Sequence, residues 1–107
     1  MAYFSYLRKT VTPNTETECG IFTNSQVFLT LRGLTLISPT GCPYFILRIY
    51  KNNILYYTYS PQTVYKNSNI IKENINIPFE KGTTIKITIN NLDPLGQNHD
   101  FEGGVYT

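Results

Sequence analysis

The sequence predicts an all-β fold, a two-layer antiparallel β-sandwich of jelly-roll or immunoglobulin-like kind, on three observations. β-branched and aromatic residues dominate the chain and recur at period two; turn residues interrupt them at short intervals; and no window repeats its apolar residues at the ~3.6-residue spacing of an amphipathic helix. At 107 residues the chain has the size of one ordinary domain, and residues 1–107 are read as a single sandwich around one core. Roughly six to eight strands at spacings near ten residues favour a sandwich, with a small closed barrel second.

The elements follow in order. Residues 3–11 make a first strand, and the Thr-, Asn- and Pro-rich residues 12–17 a loop. Residues 26–38 are extended but change phase: Val27, Leu29 and Leu31 are odd-numbered, Leu34 and Leu36 even. Gly33 sits at the change, where a bulge or bend supplies the one residue that returns Leu34 and Leu36 to the buried side. Residues 38–43 (SPTGCP) form a loop. Residues 44–51 and 54–59 form a hairpin, because Asn52 and Asn53 tolerate the positive φ of a two-residue primed turn. Over residues 70–77, Ile71, Ile75 and Ile77 share one face and Lys72, Asn74 and Asn76 the other; Pro78 to Gly82 then turn the chain. The clearest alternation covers residues 83–90, with Ile85, Ile87 and Ile89 inward and Thr84, Lys86, Thr88 and Asn90 outward. Residues 92–100 are a polar loop, and residues 101–106 a terminal strand.

Composition narrows the function classes. The aromatic fraction is 14%, with nine Tyr and no Trp; a Tyr ring can be buried while its hydroxyl stays wet, which suits a half-exposed sheet or an interface. A net charge of +2 with Lys9, Lys51, Lys66, Lys72, Lys81 and Lys86 scattered along the chain gives no basic patch, so no nucleic-acid partner is expected. No apolar window is long enough to span a bilayer, so no membrane partner is expected either. The first nine residues lack the pattern of a secretory signal, which implies synthesis in a cytoplasm and reduced thiols at Cys19 and Cys42 rather than a disulfide. Abundant Ile, Asn, Lys and Tyr point to an AT-rich genome.

Chemistry-bearing patterns are scarce. His99 is the sole histidine and falls in the polar loop, where an exposed side chain is expected. Asp93, Asp100 and Glu102 supply oxygen ligands nearby, but without the register of a calcium loop. Cys19 and Cys42 lack a C-x-x-C spacing or a neighbouring His. Glu16, Glu18 and Glu73 show no pairing that implies a glycosidase, and Gly103-Gly104 precedes no helix that would cradle a phosphate. The expectation is a chain that is not an enzyme and that needs no metal or cofactor.

The hairpin is the one informative constellation. A two-residue turn at Asn52-Asn53 sets Lys51 opposite Ile54, Tyr50 opposite Leu55, Ile49 opposite Tyr56, Arg48 opposite Tyr57 and Leu47 opposite Thr58. One face then carries Leu47, Ile49, Ile54 and Tyr56, and the other Ile46, Arg48, Tyr50, Leu55, Tyr57 and Tyr59. Tyr and Arg are over-represented at interaction hot spots, so Arg48, Tyr50, Tyr57 and Tyr59 are the expected interface.

Residues 45–53 (FILRIYKNN) and 76–87 (NIPFEKGTTIKI) resemble the second half of small jelly-roll modules in phage virion proteins and related trimeric, tumour-necrosis-factor-like sandwiches. Thr83 stands where those modules usually place an acidic residue after the turn Gly. The resemblance implies a non-enzymatic virion accessory protein of a tailed phage, such as a capsid-decoration, head-fibre or tail-associated protein. Its partners would be the major capsid protein or other virion proteins, its location the virion after synthesis in the host cytoplasm, and self-association into a homo-oligomer is open. The alternative is a carbohydrate-binding module or lectin-like adhesion domain, whose Tyr faces would stack on sugar rings.

Overall fold

A computed structural model describes residues 3–25 and 29–107, the side chains of residues 6–8 excepted. Strands β1 (Tyr3–Val11), β2 (Glu16–Thr23), β3 (Leu29–Leu31), β4 (Gly33–Ile37), β5 (Cys42–Lys51), β6 (Ile54–Val64), β7 (Asn69–Lys72), β8 (Ile77–Phe79), β9 (Thr84–Asn91) and β10 (His99–Tyr106) follow one another. Two four-stranded sheets, ordered β1-β10-β4-β7 and β2-β9-β5-β6, and a short β3-β8 pair contain them all, and every paired strand is antiparallel.

The inner faces of the sheets meet in one apolar core. Phe45, Leu47 and Ile49 of β5 and Ile85, Ile87 and Ile89 of β9 face Leu34 and Leu36 of β4 and Phe101 and Val105 of β10. Each of these side chains contributes about 1.5–3 kcal/mol by leaving water. The Phe45 and Phe101 rings touch across the layers, centroids 5.5 Å apart. Leu31, Ile77 and Phe79 from the short pair close one end. There Phe79 meets Phe4 edge-on at 5.6 Å.

Two long extended stretches are cut in two, and β2, for which the sequence predicts no strand and whose first two residues fall in the expected loop, adds one more, which gives ten strands rather than six to eight. At Arg32 the chain leaves the β3-β8 pair and enters the β10-β4-β7 sheet at Gly33, so the phase change between Leu31 and Leu34 is a change of sheet rather than a bulge within one strand. Val27 lies outside the described residues. A Cβ at Gly33 would stand 2.4 Å from the Lys72 carbonyl oxygen and 2.3 Å from the Tyr106 hydroxyl, so the crossing requires glycine. The stretch over residues 70–77 breaks between β7 and β8, where Asn74 and Asn76 have φ of 63° and 55°. Ile71 consequently ends 55% exposed and does not share the buried face of Ile77.

Candidate functional site

The β5-β6 turn is built as its sequence requires. Asn52 and Asn53 have φ of 50° and 67°, which a short polar side chain accepts at lower cost than other residues with a Cβ. The Asn52 side-chain oxygen also accepts a hydrogen bond from the Thr84 backbone N–H at 3.0 Å, tying the hairpin to β9.

Beyond the turn the register departs from the expected one. Lys51 and Tyr50 face Ile54 and Leu55, but Ile49 faces Tyr57, Arg48 faces Thr58 and Leu47 faces Tyr59. A bulge inserts Tyr56 as an extra residue, and the period-two rule then turns Tyr57 to Tyr59 over, until a second register shift between Tyr59 and Gln62. Tyr57 and Tyr59 therefore lie half-buried against the core on the inner side. Tyr59 meets Phe45 edge-on at 6.2 Å, and Lys72 Nζ lies 4.7 Å from its ring centre. The expected interface is split: Arg48 and Tyr50 stand on the outer face of the sheet, and Tyr57 and Tyr59 do not.

On that outer face the pairing sets two rows across four strands. Ile21, Lys86, Tyr50 and Leu55 form one row; Glu18, Thr88, Arg48 and Thr58 form the next. The Tyr50 hydroxyl donates to Glu16 Oε2 at 2.6 Å, and Thr88 Oγ1 donates to the same oxygen at 2.5 Å. Arg48 Nη1 lies 3.7 Å from Glu16 Oε1, and Lys86 Nζ stands 4.8 Å from the centre of the Tyr50 ring. Hydrogen bonds from Thr88 and Tyr50 hold the Glu16 carboxyl below its ordinary pKa against the opposing cost of burial, with Arg48 and Lys86 adding lesser contributions. The bond to Glu16 raises the Tyr50 hydroxyl, since ionisation would remove the donor. Glu16, Glu18, Tyr50, Asn53, Lys86 and Thr88 line an open groove of about 430 Å³. Charge and ring groups are thus fixed in place on the outer face of this sheet, where Arg48 and Glu16 are partly exposed and Thr88 is buried.

A second polar cluster lies inside the molecule. His99 is buried, against the expectation of an exposed loop residue, and its Nε2 pairs with Asp93 Oδ2 at 2.6 Å. Its Nδ1 faces the Thr40 hydroxyl at 3.3 Å. Asn91 donates from its side-chain nitrogen to the Val11 and Gln97 carbonyls and accepts from the Asp93 N–H. The Asp–His–hydroxyl order is that of a charge relay, but Thr40 Oγ1 already accepts from the Asp100 N–H and bonds the Gly41 carbonyl. Its work here is to lock residues 38–42 to residues 91–100. The sequence did carry a signal: His99 shares the inward phase of Phe101, so extending the strand back two residues puts the ring inside.

Both cysteines are free. Burial pushes each thiol up to about 11, so they stay protonated and poorly nucleophilic at neutral pH. Among the described residues no three of His, Cys, Asp and Glu stand close enough to share a metal ion.

No family model matches the chain, and no curated protein matches it. Among solved structures, the crystal structure of PirA is similar over 99% of this chain and 94% of its own, with a TM-score of 0.51 and 16% sequence identity. At that identity the likeness is one of fold.

Proposed function

We propose that this chain is a non-enzymatic binding protein that works by protein–protein contacts through the outer face of its β2-β9-β5-β6 sheet, as a virion accessory protein does. The observation that carries the reading is the pre-set array of Arg48, Tyr50, Glu16 and Lys86 on the outer sheet face, with the buried Thr88 hydroxyl holding Glu16. Fixed Tyr and Arg side chains lose little freedom on binding, which is why they concentrate binding energy. Within this reading the sandwich is a jelly roll. Leaving aside the short β3-β8 pair, the chain changes sheet at every step except the β5-β6 hairpin, giving two interleaved four-stranded sheets. The fold is therefore a platform, and its outer face is the working surface.

The groove itself favours a second reading, carbohydrate recognition. It sets the carboxylates of Glu16 and Glu18, the Asn53 amide and the Lys86 ammonium around one edge of a Tyr ring, a mixed donor and acceptor set that suits a polyhydroxylated ligand.

One variant tests both. Tyr50→Ala should weaken binding to purified virions, followed by biolayer interferometry, by about 2 kcal/mol or more, and shift the thermal midpoint little because the ring lies outside the core. Unchanged virion binding together with loss of signal on a glycan array would replace the first reading by the second.

A further inference from the structure

We infer that this chain self-associates through strand β6, two copies pairing edge to edge and antiparallel so that their β2-β9-β5-β6 sheets join into one eight-stranded sheet. β6 is last in its sheet, so its outer edge has no strand partner among the described residues. It is eleven residues long, ILYYTYSPQTV, and contains no charged residue. An edge of that length without charge is what soluble proteins ordinarily avoid, because its free N–H and C=O groups template pairing with another strand.

The other three edges of the two large sheets are protected. β1 contains Arg8 and Lys9, β2 contains Glu16 and Glu18, and β7 is only four residues long and contains Lys72. Self-pairing of β1 or β2 would set like charges against each other. β6, the longest of these edges, meets its own copy without repulsion between charges. Apolar exposure concentrates in the same place: Ile54, Leu55 and Tyr56 are consecutive and 65%, 49% and 51% exposed.

A second copy fits this edge better than a foreign peptide. Strand addition selects a foreign peptide by charge or by pockets for alternate side chains. β6 has no charge, and neither the groove of Glu16 and Tyr50 nor the smaller one between Arg32 and Tyr106 is lined by a β6 residue. Antiparallel pairing about a two-fold axis is self-complementary for any sequence, uses both free edges and leaves the charged β2 edges outermost, so assembly stops at two. Pro61 has no N–H and the bulge leaves Tyr56 out of the regular ladder, which confines the pairing to residues 54–60 with its regular run over residues 57–60. The dimer would also carry two copies of the outer-face array on one surface.

Sedimentation of the full chain over a concentration series tests this. The wild type should show the mass of two chains, falling to one on dilution. Tyr56→Glu/Thr58→Glu should be monomeric throughout while remaining folded, since Lys51 lies 5.4 Å from the Tyr56 ring and Arg48 is opposite Thr58, so each new carboxylate meets a cation within its own chain. Ile21→Glu, on the opposite edge, should leave the dimer intact. Hydrogen exchange at β6 amides of the wild type should slow as concentration rises. A wild type that stays monomeric, a double variant that stays dimeric, or dissociation by Ile21→Glu would each overturn the proposal.

Discussion

Ile87 and Lys86 are neighbours in β9 whose side chains do opposite things. Ile87 is 1% exposed between the layers, and Lys86 lies outside over the Tyr50 ring. Ile87→Ala should cost about 2–5 kcal/mol, the lost transfer energy plus the cavity left behind. Lys86→Ala should stay within about 0.5 kcal/mol, because an exposed contact between a cation and a ring is worth little. The same contrast separates the hairpin tyrosines: Tyr57→Ala should lower the thermal midpoint clearly and Tyr50→Ala should barely move it. Equal midpoints for those two variants would show that the bulge at Tyr56 is misplaced.

At the scale of elements, β10 is held by close backbone approach as well as by its core side chains Phe101 and Val105. Gly103 and Gly104 lie where β10 runs between β1 and β4, and a Cβ at Gly103 would stand 2.1 Å from the Thr35 carbonyl oxygen. Backbone cannot yield there as a flexible side chain would, so Gly103→Ala should destabilise by about 1–3 kcal/mol or more. Chemical denaturation that left Gly103→Ala within a few tenths of a kcal/mol of the wild type would sink that account.

Elements of this kind also set what could be read from sequence. β9 was legible because Ile85, Ile87 and Ile89 alternate with polar residues and one phase has one meaning. The β5-β6 turn was legible because two adjacent Asn accept positive φ. The bulge was not: Leu55-Tyr56-Tyr57 offers a large side chain at every position, so hydrophobicity does not say which residue is extra. Half the expected interface was lost with that one residue. Glu16, which organises Arg48, Tyr50 and Thr88, comes from a strand more than thirty positions before Tyr50 in the chain, and only the sheet order brings it near. The uncharged β6 edge was visible as composition, but nothing local marks a strand as the last of its sheet.

Over the whole molecule, three carboxyl groups are held below their ordinary pKa in the folded state. Asp93 is lowered by the hydrogen bond from His99 and then by the Leu95 N–H, Glu16 by Thr88 and Tyr50, and Glu80 by Lys51 and then Thr83. A group lowered on folding contributes stability that is present above its unfolded pKa, near 4 for a carboxylate, and is lost as pH falls through the folded value. The thermal midpoint should therefore be flat through mildly acidic pH and fall below about pH 4, where protonation removes the acceptors of all three networks. Asp93 should dominate that fall, because it is buried where it joins two loops, whereas Glu16 is partly exposed on the sheet face and its ion pair is screened by solvent. Asp93→Asn keeps an oxygen for the His99 N–H but cannot titrate, so it should be less stable than the wild type at neutral pH and lose less on acidification. Glu16→Gln should flatten the acid limb only slightly. If thermal scans from neutral pH down to about pH 3 gave Asp93→Asn and the wild type parallel acid limbs, the buried pair would not govern the response, and the outer-face carboxylates would have to.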